Sequence, residues 1–199
     1  MDEEWPREKY HLPPRDYVHA LGAISLNFNI FESALFALFR HHLVSRGLSK
    51  DQARRIYSQL NGDGRLEAIL ALFDGFEPDP MVKDHVRHNV AFFKWCRVER
   101  GALMHSSPGS LSLSDDEQDP IHLTKATKDM AEIHVEKVSL DRLRYVADSI
   151  RRGLDHLRAI YAHVAVRDKT DAILVETHSS APHIGAMPPI PEHGKRGPM

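Results

Sequence analysis

Cysteine is nearly absent: Cys96 stands alone among 199 residues. A single thiol cannot close an intramolecular disulfide, so a disulfide framework is excluded. Any basic excess is missing too. The 26 Lys and Arg face 28 Asp and Glu, for a formal net charge of −2. Non-specific nucleic-acid binders draw most of their affinity from neutralising phosphates. An RNA contact would therefore have to come from a local site and not from a basic surface. No uninterrupted apolar run approaches the length of a membrane span. The longest apolar region, Leu21 to Phe39, is interrupted by Ser25, Asn27, Asn29, Glu32 and Ser33. The first ten residues, MDEEWPREKY, lack the basic-then-apolar order of a secretory signal. The expectation is a cytoplasmic protein with no membrane partner.

Several chemistries lack their signatures. There is no glycine-rich phosphate loop, no nucleophile elbow, no His-Glu-x-x-His, no Cys-x-x-Cys and no Glu-x-x-His repeat of the di-iron bundles. The 14 histidines are scattered. Asp84 with His88, His85 with His88, and the His41-His42 doublet come nearest to ligand spacing, which supplies ligand types without a ligand pattern. We therefore expect no metal and no cofactor. Cys96 falls on an apolar stripe and reads as a buried thiol.

What the chain does have is helical periodicity. A hydrophobic content of 42% over this length suffices for one core. Residues 1–14 are charged, end in Pro13-Pro14 and read as a lead-in arm. From Arg15 to about Val44, Leu21, Ile24, Phe28, Phe31, Leu35 and Leu38 alternate steps of three and four and draw one stripe. Leu26, Ile30, Phe36 and Phe39 widen it, which places this helix centrally or at a subunit interface. Ser49 with Gln52 fits a capping box for a second helix, Lys50 to Leu60. Asn61-Gly62-Asp63-Gly64 reads as a stop. Leu66, Ile69, Leu70, Leu72 and Phe73 suggest a third helix that ends before Pro78. A fourth starts near Pro80 and carries Val82, Val86, Asn89, Phe93, Cys96, Arg100 and Leu103 in phase. Pro108-Gly109 closes it.

Residues 110–138 change character. Ser110 to Ser114, Ile121 to Thr124 and Ile133 to Glu136 alternate with period two, which predicts a β-hairpin or three-stranded insertion. Ser139 then caps a last long helix to about Val166, striped by Leu143, Val146, Ile150, Leu154, Leu157, Tyr161 and Val164. Residues 169–199, rich in Pro, Gly and His, read as a disordered tail after the helical domain 15–168, with a short apolar patch at Ala172 to Val175 as the one part that could dock. The fold class is all-α: an up-and-down bundle of about five helices with a small β insertion.

The chemistry-bearing candidate is Arg100-Gly-Ala-Leu-Met-His105. A guanidinium offers several donors to a phosphate and keeps its charge, while an imidazole exchanges protons near neutral pH. Chance alone supplies about one such spacing in a chain this rich in both residues. Three occur: Arg100/His105, Arg151/His156 and Arg158/His163. The latter two lie mid-helix beside Asp148 and Asp155, where a solvated salt-bridge edge accounts for the arginines. Arg100 sits on an apolar stripe, where a permanent charge is costly without a partner or a cleft. The bland account of it is an ion pair with Glu32 or Glu99, with His105 serving as a cation at the helix C-terminus.

Lys94-Trp-Cys-Arg-Val-Glu-Arg100-Gly-Ala-Leu-Met-His105-Ser resembles the motif of the HEPN superfamily (higher eukaryotes and prokaryotes nucleotide-binding helical domains). In that family an arginine, four to six residues and a histidine close a late helix of an α-bundle. The long apolar helix from Leu21 to Phe39 is similar as well, and the likeness covers about residues 15–165. The position after the arginine, usually polar in that family, is Gly101 here. The resemblance implies a homodimer, with RNA as substrate and Arg100 and His105 as catalytic residues of a metal-independent endoribonuclease. It equally accommodates a non-catalytic dimer that binds a protein partner or a nucleotide.

Overall fold

The computed structural model describes residues 14–104, 107–108, 120–126, 133–170, 172–177 and 180–193. Among these the fold is an all-α helical bundle with a small β insertion. Helix α1 is Arg15–Val44, α2 Lys50–Gln59, α3 Gly62–Phe76, α4 Pro80–Met104, α5 Leu140–Arg167 and α6 Ala172–Thr177. Strands β1 (Ser107–Pro108), β2 (Ile121–Ala126) and β3 (Ile133–Val138) form an antiparallel sheet in the order β1-β2-β3. Ile121 pairs with Val138 and Ala126 with Ile133, so β2 and β3 make a regular hairpin. The Ser110–Ser114 alternation lies outside the described residues. The short first strand forms at Ser107–Pro108, where only a helix stop was expected, and Pro108 pairs with Leu123. Proline fits there because β1 is an edge strand.

Local chemistry explains three of the helix starts. The Ser49 hydroxyl accepts from the Gln52 amide while Gln52 Oε1 accepts from the Ser49 amide at 2.8 Å, which completes the capping box. The Asn61-Gly62-Asp63-Gly64 run behaves differently from expectation. Asn61 Oδ1 accepts from the Gly64 amide at 2.7 Å, so Asn61 is the N-cap of α3 and the glycines form its first turn. A side-chain acceptor for an orphan amide outweighs the flexibility of two glycines. Ser139 accepts from the Arg142 amide at 3.2 Å and starts α5. The Leu140 amide donates to the Tyr17 hydroxyl at 3.0 Å, which ties that start to α1.

Contacts divide the described residues into two units. One holds those within 1–28, 95–150 and 191–199; the other holds those within 29–94 and 151–190. Helices α1, α4 and α5 each supply a segment to both. In the first unit, Tyr17, Ile24 and Phe28 of α1, Cys96 of α4, and Leu143 and Val146 of α5 are buried. In the second, Phe31, Leu35 and Leu38 of α1 are buried, as are Ile69 and Phe73 of α3 and Leu154 and Leu157 of α5. Phe31 meets Phe93 edge-on at 5.0 Å. The predicted stripes of α1, α4 and α5 are thus the buried faces.

The widening of the α1 stripe is only half right. Phe39 is buried and Ile30 and Phe36 are half-buried, whereas Leu26 is 62% exposed. By length and composition α1 is also apolar enough to cross a membrane, and only 28% of its most apolar 18-residue stretch is buried. This revises the reading that no segment approaches a span, because helical averaging tolerates isolated Ser and Asn that break a run. The core helix of a soluble protein passes the same test.

In the tail, residues 172–177 are helical, and residues 180–193, mostly exposed, form neither helix nor strand. Ile184 is 1% exposed, and His163 and His88 donate to the carbonyls of Pro182 and Pro188. One buried isoleucine and two imidazole donors are the contacts of this segment that composition alone does not reveal.

Candidate functional site

Within the first unit, α4 carries Cys96, buried, and Arg100, half-buried, four residues apart on one face of the helix. The Arg100 guanidinium carbon stands 5.4 Å from the centre of the Phe28 ring of α1, a cation–π contact. Its Nε is buried without a hydrogen-bond acceptor. The ion pairs expected as the bland alternative do not form. Glu32 pairs with Arg65 at 3.3 Å. Glu99, buried on the next face of α4, pairs with Arg142, and its other oxygen accepts from His193 Nδ1 at 2.9 Å. Both candidate carboxylates are committed elsewhere because each meets a different cation across its own helix face. Among the described residues, Arg100 has no carboxylate partner.

His105 lies outside the described residues. Helix α4 runs through Met104, so Arg100 is four residues from its last helical position. Five residues on a regular helix turn about 140° past a full turn. Arg100 and His105 converge on one ligand only if the chain bends after Met104 or a second chain closes over the site. Gly101 has open space where a Cβ would sit, so an alanine methyl would meet no obstruction there.

Nearby groups offer less chemistry. The Cys96 thiol is fully buried, and burial pushes its ionisation well above the usual range, so it is no nucleophile. Trp95 stacks on His193 with ring centres 6.2 Å apart, a contribution from the tail that helical periodicity could not reveal.

The two rival Arg/His spacings are structurally occupied. Arg151 binds Asp155 at 2.8 Å and Arg158 binds the same carboxylate at 3.3 Å. The hydrogen bond and charge of Asp155 raise the already high value of Arg151. Arg144 joins Asp16 at 3.0 Å. His156 is hydrogen-bonded to His85 at 2.9 Å, and His163 to the Pro182 carbonyl at 2.8 Å. Of the three arginines, Arg100 alone sits over an aromatic ring without an acid.

One further arrangement has the look of a triad. His41 Nδ1 lies 3.1 Å from the Thr170 hydroxyl, and its Nε2 lies 3.3 Å from Asp168 Oδ2. The Thr170 hydroxyl also reaches the Ala165 carbonyl at 3.3 Å, and the Thr170 amide donates to that same carbonyl. Lys169 adopts φ 52°. This is the left-handed turn that closes α5, held by its side chains.

No family model, curated protein or solved structure matches the chain.

Proposed function

We propose that this chain is a HEPN-like helical domain acting as a homodimeric, metal-independent endoribonuclease, with Arg100 and His105 as its catalytic residues. The observation that carries the reading is the state of Arg100. It is a permanent cation on a buried stripe, seated on Phe28, with a buried Nε that no acceptor satisfies. A buried donor of this kind costs about 1–3 kcal/mol when left unmade, and a phosphate oxygen is its natural acceptor. The near-neutral net charge of −2 agrees with recognition at a local site.

In the proposed reaction a ribose 2′-oxygen attacks the adjacent phosphorus and the bond to the 5′-oxygen breaks. His105 takes the 2′-hydroxyl proton and returns it to the departing 5′-oxygen, and Arg100 holds the charge gathered on the phosphoryl oxygens. The test is cleavage of single-stranded RNA by purified protein in excess EDTA. Cleavage is expected, and Arg100→Ala and His105→Ala should each remove it while keeping the native helical signal. Activity that disappears on chelation would assign the chemistry to a metal and sink this reading.

The second reading is a non-catalytic helical dimer that binds a protein partner or a nucleotide. The uncovered apolar face of α1, with Leu26 and Val18 exposed, favours it. A dimer that binds RNA or nucleotide without cleaving it in any condition would select that reading.

A further inference from the structure

The net charge of −2 hides a local excess of the opposite sign. Residues 40–59, all in the second unit, hold Arg40, Arg46, Lys50, Arg54 and Arg55 against one acid, Asp51. Lys50, Arg54 and Arg55 are exposed on α2, whose other side, Ala53 and Tyr57, is buried. Arg40 of α1 is drawn toward the same helix. Its guanidinium carbon lies 5.7 Å from the centre of the Phe36 ring, and Phe36 packs on Tyr57 at 4.8 Å. Arg46 stands in the turn between the two helices. Its donors go to the carbonyls of His42 and Phe76, at 2.9 and 2.7 Å, so it lends charge while its hydrogen bonds are taken.

The charges of α2 are not answered by acids. On the other helices, Arg151 and Arg158 share Asp155, Arg144 meets Asp16, and Arg87 meets Asp74. Arg55 follows Asp51 by four residues, the favoured order for an ion pair within a helix, yet among the described residues neither makes one. Lys50 and Arg54 are also without a carboxylate partner there. The arrangement works against the helix itself. Lys50 is the first residue of α2, where the helix dipole disfavours a cation. Arg54, one turn on, is a like-charge neighbour. Stability of the fold does not account for these cations.

We propose that the cationic surface of α2, made of Lys50, Arg54 and Arg55 with Arg40 beside them, binds the phosphate backbone of single-stranded RNA irrespective of base sequence. Lys50 and Arg54 are separated by about 6 Å along the helix axis, a step close to that between successive phosphates of an extended strand. Exposed guanidinium planes also give unpaired bases a surface to stack on. A membrane fits less well. Helices that lie on bilayers present a broad apolar face, whereas that of α2 is turned inward and Ile56 is its one large apolar side chain left exposed. RNA as the ligand rests on the reading above, but neither Arg100 nor cleavage is involved.

The test measures binding of a fluorescent 2′-O-methyl oligoribonucleotide of mixed sequence to the full chain between about 50 and 200 mM salt. Such a strand has no 2′-hydroxyl to attack its phosphates, so binding is read apart from chemistry. A chain that binds it but cuts no RNA would end the nuclease reading and leave this surface standing. Three phosphate contacts on a single strand give a salt slope of about 2, so over this range wild-type affinity should fall about twentyfold more than that of Lys50→Gln/Arg54→Gln/Arg55→Gln. The variant should bind more weakly to every sequence tried, and its Tm should be no lower than that of the wild type. Removing the same charge from α5 and its acid pairs, as Arg144→Gln/Arg151→Gln/Arg158→Gln, should leave the slope unchanged. No binding by the wild-type chain, an unchanged slope in the α2 variant, or an equal change in the α5 variant overturns the proposal. Binding to anionic phospholipid vesicles in place of RNA, lost in the α2 variant, would assign the surface to a membrane and overturns it equally. Should the triple variant fail to fold, Arg55→Gln alone should lower the slope by about 0.7, and no change there decides against it.

Discussion

Arg100 and Gly101 are neighbours whose roles the structure separates. Arg100 was legible because a three-and-four stripe exposes any charged member, and its freedom from Glu32 and Glu99 was not. That depends on Arg65, Arg142 and His193, and His193 lies 94 positions along the chain from Glu99. Gly101 costs its helix backbone entropy, and a Cβ there would meet nothing within 4 Å. Gly101→Ala should therefore raise stability by about 0.5–1 kcal/mol, measured as a higher urea midpoint at unchanged slope. Glu77 presents the opposite case. Its carboxylate is fully buried and accepts from Arg167 at 2.6 and 3.0 Å and from the Asp79 amide at 3.0 Å. Arg167→Met leaves that charge uncompensated and should cost about 3–5 kcal/mol. A loss under about 1 kcal/mol in denaturant titration would show that water replaces the guanidinium.

At the scale of elements, the helices written most plainly were those with a long stripe and a capping side chain. The bounds of α1 and α5 and the capping box of α2 follow directly from residues such as Phe31, Leu154 and Ser49. The start of α3 did not, because Asn61 can serve a turn or an N-cap with the same oxygen, and only the position of the Gly64 amide decides. The close fit of α5 in the second unit was also invisible. A Cβ on Gly153 would come within 2.6 Å of the Phe92 ring and 2.8 Å of the Phe31 ring, both fully buried. Gly153→Ala should destabilise by about 1–3 kcal/mol, read as a drop in Tm. An unchanged Tm would mean that the rings yield without cost. For α1, Leu26→Glu places a charge on the uncovered face. It should convert a dimer to a monomer in light scattering without lowering Tm; a wild-type chain that is already monomeric removes the shared-cleft arrangement.

For the molecule as a whole, buried histidines set the response to acid. Burial and the charge of Arg46 lower His42 to about 4, and burial with the His85 and His88 rings does the same to His156. A base whose folded value is depressed binds fewer protons in the native chain than in the unfolded one. This part of the native stability is therefore present in full above about pH 6.5 and is lost as pH falls toward about 4. The Tm should decline steadily through that window, and His156→Gln should flatten the decline. The composition announced many histidines but not this behaviour. A depressed base requires a dry setting, here the packing of His42 on Phe73 at 4.3 Å and of His156 on His85. The nuclease reading is likewise a statement about the folded whole. The most direct measurement uses an RNA with a single permissive linkage, with and without the 2′-hydroxyl at that position, incubated with the purified chain in EDTA. The account predicts cleavage of the hydroxyl-bearing strand to a 2′,3′-cyclic phosphate end, abolished by the 2′-deoxy substitution and by Arg100→Ala. Equal cutting of both strands, or an intact hydroxyl-bearing strand, would contradict it.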